Sequence, residues 1–252
     1  MPQFFLDREI EVGREMEIRG SDAKHVASSL RLVRGDWILL SDGAGASFRA
    51  RILESSPLRV SVFVEEEMIR HEAASPPALA LAVIKPERFE WAVQKVVELG
   101  CRRVLPFFSS RTAPARSSGA QNRRLERWRR IALEAAKQSG LPFKPQIDPP
   151  AELMDVFGVR DEFADTVLFY EGEEQTGMRG WWRSARARRA GRGDLLIVGP
   201  EGGFSKAEVS QAKESGLTAI GLGQQILRVE TAAVAAVCLW QYELGNMDPF
   251  HA

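Results

Sequence analysis

Apolar and polar positions change rhythm about seventy residues into the chain. Before that point apolar residues come in short clusters. Trp37-Ile38-Leu39-Leu40, Ser47 to Leu53 and Arg59 to Val64 are rich in β-branched, aromatic and aliphatic side chains. Asp42-Gly43-Ala44-Gly45 and Ser55-Ser56-Pro57 between them carry turn chemistry, so the clusters predict strands. A helix opening at Ser21 or Asp22 and running to about Leu32 interrupts them, and Gly35-Asp36 turns the chain into the next strand. Short strands separated by turns predict a small β-barrel over residues 1–72.

Pro76-Pro77, preceded by small residues, cannot continue a strand ladder and marks a boundary. Over residues 78–252 strands alternate with helices. Leu79 to Ile84 is a continuous apolar run suited to a strand covered on both faces. Glu87 to Leu99 follows with Phe89, Val93, Val96 and Val97 at helical spacing, and Gly100 is a natural stop. Arg103 to Phe107 predicts a second strand and Gln121 to Ser139 a long helix. Further strands are predicted at Thr166 to Tyr170, Asp194 to Val198 and Leu217 to Leu222. Ser205, with Glu208 three residues on, is a capping box, and an apolar helix runs from about Thr231 to Leu244. This alternation predicts an α/β fold with a largely parallel sheet.

Composition adds exclusions. Lys+Arg and Asp+Glu both total 34, so no global charge advertises a nucleic-acid partner. No apolar run reaches the roughly 18 residues of a membrane helix, and the N-terminus lacks signal-peptide features, so a cytoplasmic protein with no membrane partner is expected. Cys101 and Cys238 stand far apart without ligand spacing; both are expected to be small buried hydrophobes, and no metal is expected. Charge is uneven locally. Arg102 to Arg130 holds nine arginines and one acid, and Arg179 to Arg192 holds six arginines and none. Planar guanidinium forks suit phosphate, although two ordinary solvated faces would look the same.

Two glycine-bearing segments follow predicted strands. Gly199-Pro200-Glu201-Gly202-Gly203-Phe204-Ser205 leads into the capped helix, and Gly221-Leu222-Gly223-Gln224-Gln225-Ile226 follows the last strand. Neither is a P-loop, and the second reaches only part of a dinucleotide fingerprint. Each alone is explained as a tight strand-to-helix connection. Together, beyond the carboxyl ends of strands, they point to a small-molecule site. Arg228, among aliphatic neighbours beside this turn, asks for an anionic or polar partner.

These residues resemble a known family. Gly199-Pro200-Glu201-Gly202-Gly203-Phe204, then Leu222-Gly223 and Ile226-Leu227-Arg228-Val229-Glu230-Thr231-Ala232, are similar to the RsmE type of 16S ribosomal RNA (uracil-N3)-methyltransferases, a branch of the SPOUT superfamily. His25, Leu30-Arg31, Gly35-Asp36 and Ser41-Asp42-Gly43 resemble its PUA-like N-terminal RNA-binding domain. Lys85, Glu87-Arg88, Gln94-Lys95, Ser109-Ser110-Arg111, Arg127-Trp128 and Glu134 to Ser139 continue the likeness. After Gly140 the family commonly has an arginine where this chain reads Leu141-Pro142-Phe143-Lys144.

The resemblance implies a PUA-like barrel over 1–72 and a SPOUT domain with a trefoil knot over 78–252. It also implies a homodimer, S-adenosyl-L-methionine as cofactor, and the 16S rRNA of the small ribosomal subunit as substrate. The cofactor residues carried over are Phe169, Tyr170, Glu171, Gly199, Pro200, Glu201, Gly202, Leu222, Gly223, Ile226, Leu227 and Arg228. Uracil N3 carries a proton, and its loss leaves negative charge on the ring oxygens that a guanidinium stabilises. Arg228 is the candidate for that role. Glu201 and Glu230 are candidate bases, equally explicable as a turn residue and a helix start. Arg8, His25, Arg31, Arg34, Arg111, Arg123 and Arg124 are the RNA candidates, with His25 better explained as an ordinary surface helix position. Two other readings compete: a sister methyltransferase acting on another base or a ribose hydroxyl, and an assembly factor that kept the fold and lost the reaction.

Overall fold

The structure, a computed structural model, describes residues 1–70, 76–112, 118–173, 175–185 and 193–248. Most of the expected boundary around residues 72–77, the 186–192 part of the second arginine block, and the last four residues lie outside this set. The chain divides into two compact units, Met1–Ala73 with Ala136–Lys144, and Ala74–Ala135 with Pro145–Ala252.

The first unit is built on β1 (Gln3–Phe5), β2 (Glu15–Arg19), β3 (Trp37–Ser41), β4 (Ala46–Ser55) and β5 (Arg59–Arg70), in the order β1-β3-β4-β5-β2. β1 runs parallel to β3 and every other pair is antiparallel. Alternation decides which face is inside: Phe48, Ala50 and Ile52 of β4 and Val60, Val62 and Val64 of β5 are buried. Three register shifts along the β4–β5 pair bend these long strands, so the sheet curls around that core.

The predicted helix is shorter than its apolar spacing suggested. α1 (Gly20–Lys24) continues into one wide π-type turn over His25–Ser29, and Leu30 closes it. Arg31 then adopts φ 53°, the one non-glycine residue with positive φ among the described residues, which stops the helix before Leu32. Within the same unit, Ala136–Lys144 packs as a strap. Ser41 Oγ donates to the Pro142 carbonyl at 2.7 Å, Gln3 donates to the Leu141 carbonyl, and Lys144 N donates to the Gly43 carbonyl at 2.9 Å. Lys144 also pairs with Asp7, and Lys137 with Asp22 at 2.9 Å. The Leu141 to Lys144 departure from the family pattern is therefore spent on packing of the first unit.

The second unit contains, in chain order, β6 (Ala78–Ala82), α2 (Pro86–Glu98), β7 (Arg103–Phe108), α3 (Ser118–Ser139, whose last turn belongs to the first unit), β8 (Gln146–Ile147), β9 (Ala151–Glu152) and α4 (Leu153–Gly158). It continues with β10 (Thr166–Phe169), α5 (Met178–Ala185), β11 (Leu195–Val198), α6 (Lys206–Glu214), β12 (Thr218–Ile220) and α7 (Val229–Glu243). The sheet order is β12-β10-β11-β6-β7-β8, with β9 also on β7, and all pairs are parallel. β6 and β11 are buried at every position, as strands covered on both faces must be. The sequence signalled neither α4 nor α5. α5 is held by Trp181 and Trp182, which are buried beside Trp240 of α7 with ring centroids 4.9 and 5.1 Å away. Cys101 is fully buried, which pushes its thiol up to about 12, whereas Cys238 is only half-buried.

Candidate active site

Three parallel strands, β10, β11 and β12, end side by side, and the chain leaving each one contributes a wall of a single cavity of about 350 Å³. β10 delivers Phe169, Tyr170 and Glu171, with Tyr170 N donating to the Ile220 carbonyl at 2.9 Å so that two of the exits stay in register. β11 delivers Val198, Gly199, Pro200 and Glu201, then Gly203 and Phe204. β12 delivers Leu222, Gly223, Gln225, Ile226, Leu227 and Arg228, and the first turn of α7 adds Val229 and Ala232. Arg88, from the first turn of α2, completes the lining.

Two glycines in the β11 loop are required by close approach. A Cβ on Gly199 would sit 2.7 Å from the ring of Phe204, which is itself buried. Gly203 has φ +66°, and a Cβ there would fall on the carboxylate of Glu171. Gly203 N donates back to the Pro200 carbonyl at 2.9 Å, making the loop a tight turn.

Every predicted cofactor residue lines this cavity except Gly202, whose open side faces the stem of Arg111 instead. Gly203, Phe204, Gln225, Val229 and Ala232 also line it and were not expected to. Gly203 and Phe204 belong to the same motif and were within reach of sequence reasoning. Arg88 is more than a hundred residues away from both glycine loops, and only the fold brings it to them.

Electrostatically the rim is an arginine between two acids. Arg88 Nη1 donates to Glu201 Oε1 at 2.7 Å, and its Nε lies 3.8 Å from Glu230 Oε1. Glu201 is half-exposed and borders the cavity, whereas Glu230 is 14% exposed and does not border it. The second oxygen of Glu230 is buried without a hydrogen-bond partner among the described residues. Arg228 is the N-cap of α7, a turn earlier than the predicted helix start. Its side chain is exposed at the cavity and makes no hydrogen bond or ion pair with a described residue, so its guanidinium is available to a ligand. Ile226 is 89% exposed at the same mouth.

The RNA candidates divide by what already holds them. Arg8 donates to the Glu17 carbonyl at 2.8 Å, and Arg111 to the Gly202 carbonyl at 2.6 Å. Within the arginine block, Arg127 pairs with Glu90 and Arg129 with Glu126. His25, Arg31, Arg34 and Arg123 are exposed and Arg124 half-exposed. None of Arg31, Arg34, Arg123 and Arg124 pairs with a described residue; the His25 ring meets the edge of Phe4 at 6.3 Å. Among the described residues no three His, Cys, Asp or Glu side chains cluster for a metal ion, and no helix is long and apolar enough to cross a membrane.

Residues 71–241 match the family described as RNA methyltransferase domain. The chain is 27% identical over 248 residues to ribosomal RNA small subunit methyltransferase E of Bacillus subtilis, covering 96% of this chain and 97% of that protein. It is 32% identical to the Mesomycoplasma hyopneumoniae protein of the same name over 68% of this chain and 71% of that one. Among solved structures, ribosomal RNA small subunit methyltransferase E of Neisseria gonorrhoeae bound to S-adenosyl methionine superposes with a TM-score of 0.83, at 27% identity, over 96% of this chain and 97% of that one.

Proposed function

The chain belongs to the ribosomal RNA small subunit methyltransferase E family of RNA methyltransferases, and from that premise we propose that it uses S-adenosylmethionine to methylate N3 of a specific uridine in the 16S RNA of the small ribosomal subunit. The observation that carries this reading is the convergence of the β10, β11 and β12 exits on one cavity, with the exposed guanidinium of Arg228, which pairs with no described residue, at its mouth.

The lining suits the cofactor. Phe169, Leu222, Leu227 and Ala232 offer apolar surface for an adenine, and Gly199, Gly203 and Gly223 line the cavity with no side chain of their own to hinder its approach. Glu171 and Glu201 supply carboxylates that suit ribose hydroxyls or a positively charged amino group. When bound, S-adenosylmethionine supplies a methyl group activated by its sulfonium charge.

The chain's own residues have three tasks. They must receive a uracil out of its base pair, take or accommodate the N3 proton, and meet the charge left on O2 and O4. Arg228 is suited to the last. Glu201 and Glu230 remain the candidate proton acceptors, and Glu201 is the one that borders the cavity. Arg31, Arg34, Arg123 and Arg124, with His25, are the RNA contacts of this reading. Closure of the first unit's sheet into a PUA-like barrel, a knotted second unit, a homodimer and a cytoplasmic location complete it.

The test incubates purified protein with labelled S-adenosylmethionine and unmodified small ribosomal subunits, then digests the RNA and separates nucleosides by mass spectrometry. 3-Methyluridine is the expected product. Another methylated nucleoside would retain the cofactor and move the specificity; no transfer by protein that binds the cofactor would point to a different substrate, and a protein that does not bind the cofactor at all would favour the assembly factor.

A further inference from the structure

The turn after β7 is pinned to the loop after β11 at two neighbouring points. Arg111 Nη1 donates to the Gly202 carbonyl at 2.6 Å, and its stem lies along Gly202, 3.4 to 3.9 Å from where a Cβ would be. One residue earlier, Ser110 donates from both its backbone N and its Oγ to Glu208 Oε1, each at 3.0 Å. The other oxygen of the same carboxylate accepts from Ser205 N at 2.7 Å, which closes the capping box of α6. Glu208 is 8% exposed. The turn that supplies Ser110 and Arg111 is itself tied, since Ser109 N donates to Thr112 Oγ1 at 2.9 Å.

Ser110, Arg111 and Glu208 do not line the cavity, yet they hold both sides of a loop that does: Gly202 lies between Glu201 and Gly203, and Ser205 follows Phe204. A loop with three glycines has wide conformational freedom unless something outside restricts it. We propose that Ser110, Arg111 and Glu208 are positioning residues that hold the Gly199–Phe204 loop in its cofactor-competent form, and that Arg111 serves this loop and not an RNA phosphate. The inference rests on the functional reading above and deepens it. A role for Glu208 as a helix cap alone accounts for the bond from Ser205 but not for the two from Ser110.

Because a loop that is competent only part of the time lowers apparent affinity by that fraction, releasing the pin weakens cofactor binding without altering any group that touches the cofactor. Arg111→Ala, Ser110→Ala and Glu208→Gln, each in the full chain, would be titrated with S-adenosylmethionine by calorimetry. RNA affinity would be measured against salt, using unmodified small-subunit RNA. Amide hydrogen exchange of the unliganded proteins would be followed in parallel. Arg111→Ala is expected to raise the cofactor Kd about tenfold, a competent fraction of about one tenth. It should also speed exchange at Gly202 and Gly203, and leave the salt slope of RNA binding as in the wild type. An unchanged cofactor Kd, with the slope reduced by the roughly 0.7 to 0.9 expected when one phosphate is no longer neutralised, would overturn the inference in favour of an RNA role. An unchanged Kd with an unchanged slope would overturn it as well. If Glu208→Gln does not fold, the two surface variants and the exchange measurement still decide. A wild-type protein that binds no S-adenosylmethionine would fail the functional reading itself, which the first titration reveals separately.

Discussion

At the scale of single residues the site is organised by which arginines are engaged. Arg88 is occupied by Glu201 and faces Glu230, and Arg111 is occupied by a backbone carbonyl. Arg228 has no such partner among the described residues and stands exposed at the cavity mouth. Its aliphatic neighbours beside the glycine turn asked for an anionic or polar partner; none of the described residues supplies one, which leaves that place to a ligand. Arg228→Ala is therefore expected to lower kcat by about a hundredfold or more, the scale of losing one donor to developing negative charge, with cofactor affinity changed far less. Single-turnover kinetics beside a cofactor titration check this, and near-normal turnover by the variant would remove Arg228 from the role. Residue identity alone also singled out the glycines but not their reasons. Gly203 is needed for its positive φ and for the Glu171 carboxylate against it, whereas Gly202 leaves space that an ordinary contact would fill.

Among the elements, α6 shows how a local signal acquires a longer reach. Ser205 and Glu208 mark its start in the sequence, and both reciprocal bonds form. Burial raises the Glu208 carboxyl, but bonds from the backbone and hydroxyls of Ser205 and Ser110 outweigh it and hold the group below the ordinary carboxylate value. A lowered value in the folded state means that the unfolded chain takes up the proton first as pH falls. The stabilisation from Glu208 is complete above the ordinary carboxylate range and is lost as pH falls through the lowered value. Glu208→Gln should be less stable than wild type near neutral pH and should lose less on acidification from about pH 5 to 3. Denaturant melts at several pH values test it; parallel curves for the two proteins would show that Glu208 carries no such stabilisation. The helical stretch near His25 illustrates the opposite limit. Its apolar spacing continues to Leu32, but the backbone turns left-handed at Arg31 and the helix ends.

For the whole molecule, charge balance and charge distribution make different statements. The first 72 residues hold 10 basic and 13 acidic residues, so the RNA contact proposed for them requires a local patch. Arg31 and Arg34, exposed and pairing with no described residue, are the cations proposed for it. Affinity for unmodified small-subunit RNA is expected to fall steeply with salt, and Arg31→Ala with Arg34→Ala should reduce the slope by about 0.7 to 0.9 for each phosphate no longer neutralised, while cofactor affinity stays as in the wild type. A flat salt dependence in the wild type would rule out the phosphate contacts. Much of this plan is legible in the chain before folding. Apolar runs and turn residues separate the strand-rich start from the alternating remainder, because periodicity reports directly which faces must leave water. The glycine motifs mark the cavity loops, because glycine tolerates the close approach to Phe204 at Gly199 and the positive φ at Gly203. Short elements such as β1, β8, β9 and α4 carry too few residues for a period to show, and α5 is held by a cluster of tryptophans brought from two distant helices. Arg88 reaches the cavity, Ser110 reaches Glu208 and Leu141 to Lys144 straps the first unit only through contacts between residues far apart in the chain. Local sequence thus determined the strand-and-helix plan and the cofactor-loop motifs, since those depend on near neighbours. Tertiary structure alone decided which arginines are engaged, which one meets no described residue and what contacts the loop, since those depend on partners that one-dimensional spacing does not encode.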